Sequence, residues 1–140
     1  VLEHLRDPAA FLTEAGNWSN MLLLAAPNEW TELQDKANEV AKKKDWWVHK
    51  SHINYFSRMT LGNLLERSGW KPVRWLGTYP MEEFILAGRD YTDDETVGRD
   101  MHNCVRGAEM LATRKERLLD GLGYGAKGEG RDSIVLCLKT

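Results

Sequence analysis

A continuous apolar run from Met21 to Ala26 is the feature that most constrains the fold of this 140-residue chain. Pro27 and Asn28 end the run abruptly. A strand with one solvated face alternates apolar and polar residues, whereas an uninterrupted run is typical of a strand buried on both faces, as in a parallel sheet. Such a strand needs helices above and below it. The sequence therefore predicts an α/β fold with a partly parallel sheet.

The first eight residues, Val1 to Pro8, have the pattern of a strand end followed by a helix start. The Asp7 side chain can accept a hydrogen bond from the first turn of a helix, and Pro8 suits the first helical position. Val1 and Leu2 are therefore predicted to be the stub of a strand. We expect the chain to begin in the middle of a fold.

Amphipathic helices and a further strand are predicted in the next part of the chain. The spacing of apolar residues predicts a helix from about Glu29 to Lys44, and Ser57 caps a second helix that Gly69 stops. Trp70 to Thr78 is predicted to be the next strand. Residues 45–56 are too aromatic and too irregular in period for a surface linker, which indicates a functional loop.

The C-terminal part is predicted to hold a long helix, a flexible connection and a last strand. An acidic first turn starts the helix, which runs from about Glu95 to Leu119. The glycine-rich stretch Gly121 to Gly130 is interpreted as the connection, and Ser133 to Lys139 as the strand. Cys104 and Cys137 lack the spacing of a zinc site or a redox pair, so both are predicted to be buried free thiols.

Composition and charge disfavour several classes of partner. A formal net charge of −2, with 42% apolar and 29% charged residues, fits one domain over residues 1–140 and gives no global field for nucleic acid or an anionic membrane. The longest apolar stretch is far shorter than the ~20 residues that cross a bilayer, and no signal peptide opens the chain. We therefore expect a cytoplasmic domain with no nucleic-acid and no membrane partner.

Four segments, taken in order, are similar to parts of one known fold. Its fourth strand and following helix resemble VLEHLRDP at residues 1–8, and the end of its fifth strand resembles LAAPN at residues 24–28. Its histidine-aromatic-Phe-Ser segment, which leads into the sixth strand, is similar to HINYFS at residues 52–57, and its seventh strand to RDSIV at residues 131–135. The chain thus resembles the C-terminal half of a class I S-adenosylmethionine-dependent methyltransferase that acts on small molecules.

The resemblance implies a partial Rossmann-like methyltransferase sheet with helices on both faces and an antiparallel last strand. Residues from about 79 to 120 match nothing in that fold and are predicted to be a helical insertion or cap. The implied cofactor is S-adenosylmethionine, and the implied partner is a small-molecule acceptor.

The family's glycine-rich turn and ribose-binding acid cannot be placed in this sequence. The G-x-G-x-G spacing from Gly121 to Gly125 follows a charged helix and precedes no predicted helix, so it is not assigned to the cofactor. Cofactor binding is therefore predicted to require an N-terminal half, and the chain alone is predicted to be inactive.

Methyl transfer from a sulfonium is an in-line displacement, so the protein supplies alignment and a base for the acceptor's proton. Because the family's fourth strand ends beside the reactive methyl, the residues expected at the cofactor are Leu2, Glu3 and His4. The candidate bases are His52 and His4. The residues expected at the acceptor are Asn28, His52, Tyr55 and Phe56, with Trp46 and Trp47 as further walls.

Other interpretations stay open at this point. Each histidine can instead have a structural role, and the aromatic residues can belong to the core. His49 and His52 would chelate a metal with Glu3 and His4 only in a helical loop, so no metal is predicted. A non-catalytic alternative is an α/β binding or dimerisation module that forms a homo-oligomer through the exposed edge of the Met21–Ala26 strand.

Overall fold

Three strands and the helices around them make up the computed structural model, which describes residues 1–43, 46–111 and 114–140. The elements in chain order are a 3₁₀ helix (Leu2–His4), α1 (Pro8–Ala15), β1 (Met21–Pro27), α2 (Glu32–Ala41), α3 (Arg58–Arg67), β2 (Trp70–Gly77), α4 (Glu82–Leu86), α5 (Glu95–Leu111), α6 (Arg114–Lys127) and β3 (Asp132–Lys139). Within the described ranges, no helix has the length and apolar character needed to cross a membrane.

The sheet has the order β1-β3-β2, and β3 runs antiparallel to both of its neighbours. It follows that β1 and β2 run in the same direction. Neighbouring residues on a strand point to opposite faces. Trp75 of β2 faces Gly62 of α3, whereas Leu76 faces Gly121 of α6. The predicted α/β fold, with helices on both faces and an antiparallel last strand, is confirmed. The predicted partly parallel sheet is wrong for the described strands, because β3 lies between β1 and β2 and pairs antiparallel with both.

Side-chain caps fix where the N-terminal helices begin. The Asp7 carboxylate accepts a hydrogen bond from the first turn of α1. Reciprocal capping boxes start α2, through Thr31 and Gln34, and α3, through Ser57 and Thr60. Each cap satisfies amides that have no partner within their helix and stabilises it by about 1 kcal/mol. The prediction that Asp7 and Ser57 are caps is confirmed.

The core lies between one face of the sheet and helices α1 and α3. Its members come from every element on that side: Leu2, Leu12, Leu24, Ala26, Phe56, Leu61, Leu65, Trp70, Val135 and Cys137. Trp70 is fully buried, and its indole N–H donates to the Leu12 carbonyl over 2.8 Å. Each large side chain removed from water stabilises the fold by about 1.5–3 kcal/mol, so this layer anchors the loops above it.

Strand β1 is buried on one face only, contrary to the prediction. Leu24 and Ala26 are buried, but Met21 is 61% and Leu23 is 70% exposed. The reason is the position of β1 at the edge of the sheet, where α6 covers the opposite face only as far as β2. The apolar run predicted helices over both faces of this strand, but among the described residues no helix covers the face of β1 that carries Met21 and Leu23.

The chain start also differs from the prediction. Leu2 to His4 form a 3₁₀ helix and not the end of a strand. The backbone of this helix is bonded to the loop predicted at residues 45–56, which we call the aromatic loop. The Glu3 carbonyl accepts hydrogen bonds from the amides of Ile53 and Asn54 over 2.8 and 3.1 Å. These hydrogen bonds replace the bonds to a neighbouring strand that the predicted strand end would have made.

The long helix predicted from about Glu95 to Leu119 is described in two parts, α5 and α6, on either side of residues 112–113, which lie outside the described part of the chain, and α6 continues past the predicted end to Lys127. The glycine-rich stretch is no flexible connection, because α6 continues through it to Lys127. A side chain at Gly125 would place its Cβ 2.5 Å from the Trp75 carbonyl oxygen. The glycine therefore lets α6 lie directly on the backbone of β2. Cys137 is buried as predicted, but Cys104 is exposed, which corrects the other half of that prediction.

Candidate functional site

A cavity of about 600 Å³ lies where β1 ends and β3 begins. The two strands are antiparallel, so these ends meet at one edge of the sheet. Asn28 and Glu29, which follow β1, form one part of the wall, and Arg131 and Asp132 of the β3 start form another. The aromatic loop, α2, the segment around α4 and the first turns of α5 close the remaining sides. This volume suits a small-molecule ligand.

Three histidines, His4, His49 and His52, lie together where the aromatic loop meets the 3₁₀ helix. The His52 ring centroid is 4.9 Å from that of His4 and 4.9 Å from that of His49. Ser51 fixes both neighbours. The Nδ1 of His4 lies 2.8 Å from the Ser51 carbonyl oxygen, and the Nδ1 of His49 lies 2.8 Å from the Ser51 hydroxyl. A carbonyl oxygen only accepts hydrogen bonds, so the Nδ1 of His4 carries the hydrogen, and the Nε2 of the same ring points away from the Ser51 carbonyl.

His52 is the histidine best placed to take a proton. Burial, followed by the charges of His49 and His4, lowers the pKa of His52 below its ordinary value of 6.5. The ring is therefore neutral at physiological pH. Its Nδ1 has no hydrogen-bond partner within the described residues. A neutral imidazole with a nitrogen free of protein partners can accept a proton from a bound molecule.

Two buried carboxyl groups lie in the wall of the same cavity. Glu29 and Glu82 are 6% and 5% exposed, and the Gln34 amide donates to Glu29 over 2.9 Å. Burial raises the pKa of both carboxyl groups above 4.5, and the charge of Glu82 raises that of Glu29 further. One carboxyl oxygen of Glu82, Oε2, has no hydrogen-bond partner among the residues that the structure describes. Groups of this kind are costly for folding and are typical of binding sites.

The predicted acceptor residues fall into two groups. Asn28 and His52 line the cavity, and the Asn28 amide nitrogen is held by the carbonyls of Gly128 and Gly130 over 2.8 and 2.9 Å. Tyr55 and Phe56 lie behind the wall. The Tyr55 hydroxyl donates to the His49 carbonyl over 3.0 Å, and Phe56 belongs to the core cluster. Contact of these four residues with an acceptor stays a prediction.

The residues predicted at the cofactor share the 3₁₀ helix but differ in exposure. Leu2 is fully buried in the core, and its carbonyl oxygen accepts a hydrogen bond from the Asn54 side chain over 3.1 Å. Glu3 is partly buried and His4 is exposed. The role of Leu2, Glu3 and His4 in cofactor binding stays a prediction.

The structure brings Glu3, His4 and His52 together without a helical loop. Each offers one ligand atom, and these atoms lie within 4.8 Å of one another. Two imidazoles and a carboxylate form a donor set that zinc accepts. The expectation that metal ligands could come together only if the loop were helical is therefore wrong. The absence of a metal stays a prediction.

Sequence reasoning missed the carboxyl and amide groups of the cavity, above all Glu82 and Gln34. Each occurs in a polar helical segment, where such residues are mostly exposed. Glu29 had a weak signal, because it follows Asn28 directly at the end of a strand. Glu82 had no such signal, since its burial comes from the packing of α4 against α2, which is not visible in the local sequence.

Comparison with known protein families adds the decisive observation. A family model described as a methyltransferase domain matches residues 1–74, which is just over half of the 140 residues. The chain belongs to the methyltransferase domain family. This confirms the family suggested by the four sequence segments. No curated protein matches the chain. The matched part of the methyltransferase domain contains β1, the histidine cluster and most of β2, whereas α4, α5, α6 and β3 lie beyond it.

The described residues of this methyltransferase domain do not form a complete site for S-adenosylmethionine. The G-x-G-x-G spacing from Gly121 to Gly125 lies inside α6 and not in a turn between a strand and a helix. Amides inside a helix donate to the carbonyl four residues earlier, so the amides of these glycines are not presented to a ligand as they are in the family's turn. Gly121 and Gly125 serve the packing of α6 on β2, and this helical segment offers no place for the methionine end of that cofactor.

Proposed function

We propose that this methyltransferase domain acts with S-adenosylmethionine on a small-molecule acceptor, and that these residues form the acceptor side of the site. The observation that carries the proposal is the position of His52. It lies within the family match, lines the cavity and has a ring nitrogen without a partner in the described chain. In this proposal, His52 takes the proton that the acceptor atom loses when it is methylated.

The groups around His52 have supporting roles in this proposal. Through Ser51, His4 and His49 hold the loop in the shape that presents the His52 ring. Asn28 and Glu82 hold the acceptor against that ring, because each has a buried oxygen with no hydrogen-bond partner in the described parts of the chain. Alignment of this kind accounts for much of the rate of a displacement reaction.

A pH profile tests the role of His52. S-adenosylhomocysteine formation is measured in the full natural protein that contains these 140 residues, because the donor site is proposed to need residues beyond them. Activity is expected to rise with pH and to level off above the lowered pKa of His52. In H52Q the rate falls by about 10²- to 10⁴-fold and this rise disappears. In H49Q the rise is retained but shifts to higher pH, because one of the charges that lower the pKa of His52 is removed. An H52Q enzyme with an unchanged pH profile contradicts the proposal.

The proposal for the donor is tested separately. No glycine-rich turn suited to the donor is found in the described residues, which supports a donor site completed by residues outside this chain. Calorimetric titration of the 140-residue chain with S-adenosylmethionine is therefore expected to give no binding heat up to about 1 mM, the upper end of ordinary KM values. Tight one-to-one binding contradicts this part and leaves the role of His52 intact.

One observation favours the alternative of a non-catalytic dimerising module. Strand β1 lies at an edge of the sheet, and its residues Met21 and Leu23 are largely exposed. An unpaired apolar edge can add a strand from a second copy. Sedimentation equilibrium of the wild type and of L23K tests this alternative. It requires a dimer that L23K weakens, so a single-chain mass at all concentrations contradicts it.

A further inference from the structure

The cavity beside His52 contains a concentration of polar atoms that lack partners. Five of its wall residues each have one buried nitrogen or oxygen with no hydrogen-bond partner among the described residues. They are Asn28, Trp46, Trp47, His52 and Glu82. Buried polar atoms are nearly always paired in folded proteins, and each unpaired atom costs about 1–3 kcal/mol. Such a group around one cavity indicates a ligand with several polar atoms.

The unpartnered atoms are of both hydrogen-bonding kinds. Trp46 and Trp47 offer indole N–H donors, while the amide oxygen of Asn28 and a carboxyl oxygen of Glu82 are acceptors when the carboxyl group is ionised. An ammonium group has donors only and would leave both indoles unmet. A hydroxyl group both donates and accepts, so a ligand with several hydroxyl groups can meet both kinds of wall atom.

Charge and shape favour the same class of ligand. Acidic Glu29, Glu82 and Asp132 share the wall with Arg99 and Arg131, so no strong excess of one sign attracts a cation. The two indole side chains give the cavity apolar surface beside these polar atoms. An indole face suits the C–H surface of a saturated ring, and the indole N–H suits a ring hydroxyl.

We propose that the acceptor is a polyhydroxylated saturated ring of the sugar type, held against the indoles of Trp46 and Trp47 with hydroxyl groups bonded to Asn28 and Glu82. Their unpartnered atoms are buried beside the 600 Å³ cavity, so the proposal includes a rotation of these side chains that turns the atoms toward the ligand. The hydroxyl group that faces His52 is the one methylated. This inference rests on the proposed function, since it names the substrate class of that site.

Ligand binding in the absence of a methyl donor tests the inference on the 140-residue chain. The probes are methyl glucoside, cyclohexanol and cyclohexylamine, and binding is followed by saturation-transfer NMR. These probes share a six-membered ring and differ in hydroxyl groups and charge. Methyl glucoside is expected to bind at least about tenfold more tightly than either ring with one polar group, because the cavity is built for several hydrogen bonds.

Variants locate the site. W47F removes an indole N–H and keeps an aromatic ring, so it weakens methyl glucoside binding by about fivefold, the equivalent of one hydrogen bond. The matched control is W18F, since Trp18 is 75% exposed and lies outside the cavity. E82A is expected to weaken binding by a similar factor and E82Q to restore it. If E82A does not fold, the two tryptophan variants are sufficient.

The inference is overturned if cyclohexylamine binds most tightly, which indicates an amine acceptor, or if cyclohexanol binds as well as methyl glucoside. It is also overturned if no probe binds or if W47F and W18F behave alike. None of these results concerns methyl transfer, because no donor is present. Methyl glucoside binding by a protein that never forms S-adenosylhomocysteine leaves the binding site standing and contradicts the proposed function alone.

Discussion

Replacing Gly125 by alanine tests the way in which α6 lies on the sheet. The added Cβ would be 2.5 Å from the Trp75 carbonyl oxygen and 2.7 Å from the Leu76 Cα, whereas favourable contacts between non-bonded heavy atoms lie near 3.5–4.0 Å. Both neighbours are backbone atoms of β2, so no side chain can rotate away. The helix must therefore move off the strand by about 1 Å.

Gly123, two residues earlier in the same helix, is the matched control. A Cβ there meets nothing within 4 Å. G123A is expected to stabilise the protein by about 0.5–1 kcal/mol, because alanine loses less backbone freedom on folding than glycine. G125A has the same gain, but overpacking costs about 1–3 kcal/mol. The difference between the two variants therefore isolates the contact with β2.

Urea unfolding followed by far-ultraviolet circular dichroism gives the free energy of unfolding of each variant. G125A is expected to be less stable than G123A by about 1–3 kcal/mol, a difference of several degrees in Tm for a chain of this size. Equal stability of the two variants, or a more stable G125A, would refute the close packing of α6 on β2. The interpretation of Gly125 as a packing residue would then be wrong as well.

Three further predictions concern single side chains. The folded-state pKa of Glu82 lies above 4.5, so the folded chain keeps a proton that the unfolded chain has lost, and the free energy of unfolding falls as the pH rises from about 4.5 through the raised pKa. Urea unfolding at several pH values should give a smaller fall of this free energy in E82Q than in the wild type. An equal fall in both contradicts the burial of Glu82. A maleimide should label Cys104 in the folded chain and spare Cys137, because Cys137 is buried and burial raises its pKa to about 11, and mass spectrometry of the labelled peptides decides this. D7A should lower the free energy of unfolding by about 1 kcal/mol, while D7N retains the cap and most of the stability; equal losses would argue against the Asp7 hydrogen bond.

The sequence was most informative where structure depends on neighbouring residues. The caps at Asp7 and Ser57 were predictable, because a capping side chain bonds an amide three residues away. The strand Met21–Pro27 was predictable from its apolar run, but its one-sided burial was not. Exposure of Leu23 depends on how far α6 reaches across the sheet, and α6 is about 100 residues distant in sequence.

The same distinction applies to the site. His52 and Asn28 were singled out because they occur in short segments with a family likeness, and both line the cavity. Glu82 and Gln34 were not, since their burial results from the packing of α4 against α2, which no local pattern reports. The glycines near Gly125 were misinterpreted for a related reason: a glycine that permits contact with a distant backbone has the same local sequence as one that permits flexibility.

The boundary of the family match divides the cavity into two parts with different expected roles. The proposed base, His52, and the wall residue Asn28 lie within residues 1–74, whereas Glu82 and Arg131 lie beyond them. A group that takes the acceptor's proton is needed for every acceptor. A group that only bonds to one acceptor's hydroxyl discriminates between acceptors, because its loss affects the molecules that carry that hydroxyl. Substitutions at His52 should therefore slow transfer to all acceptors alike, whereas substitutions at Glu82 should change the preference among them.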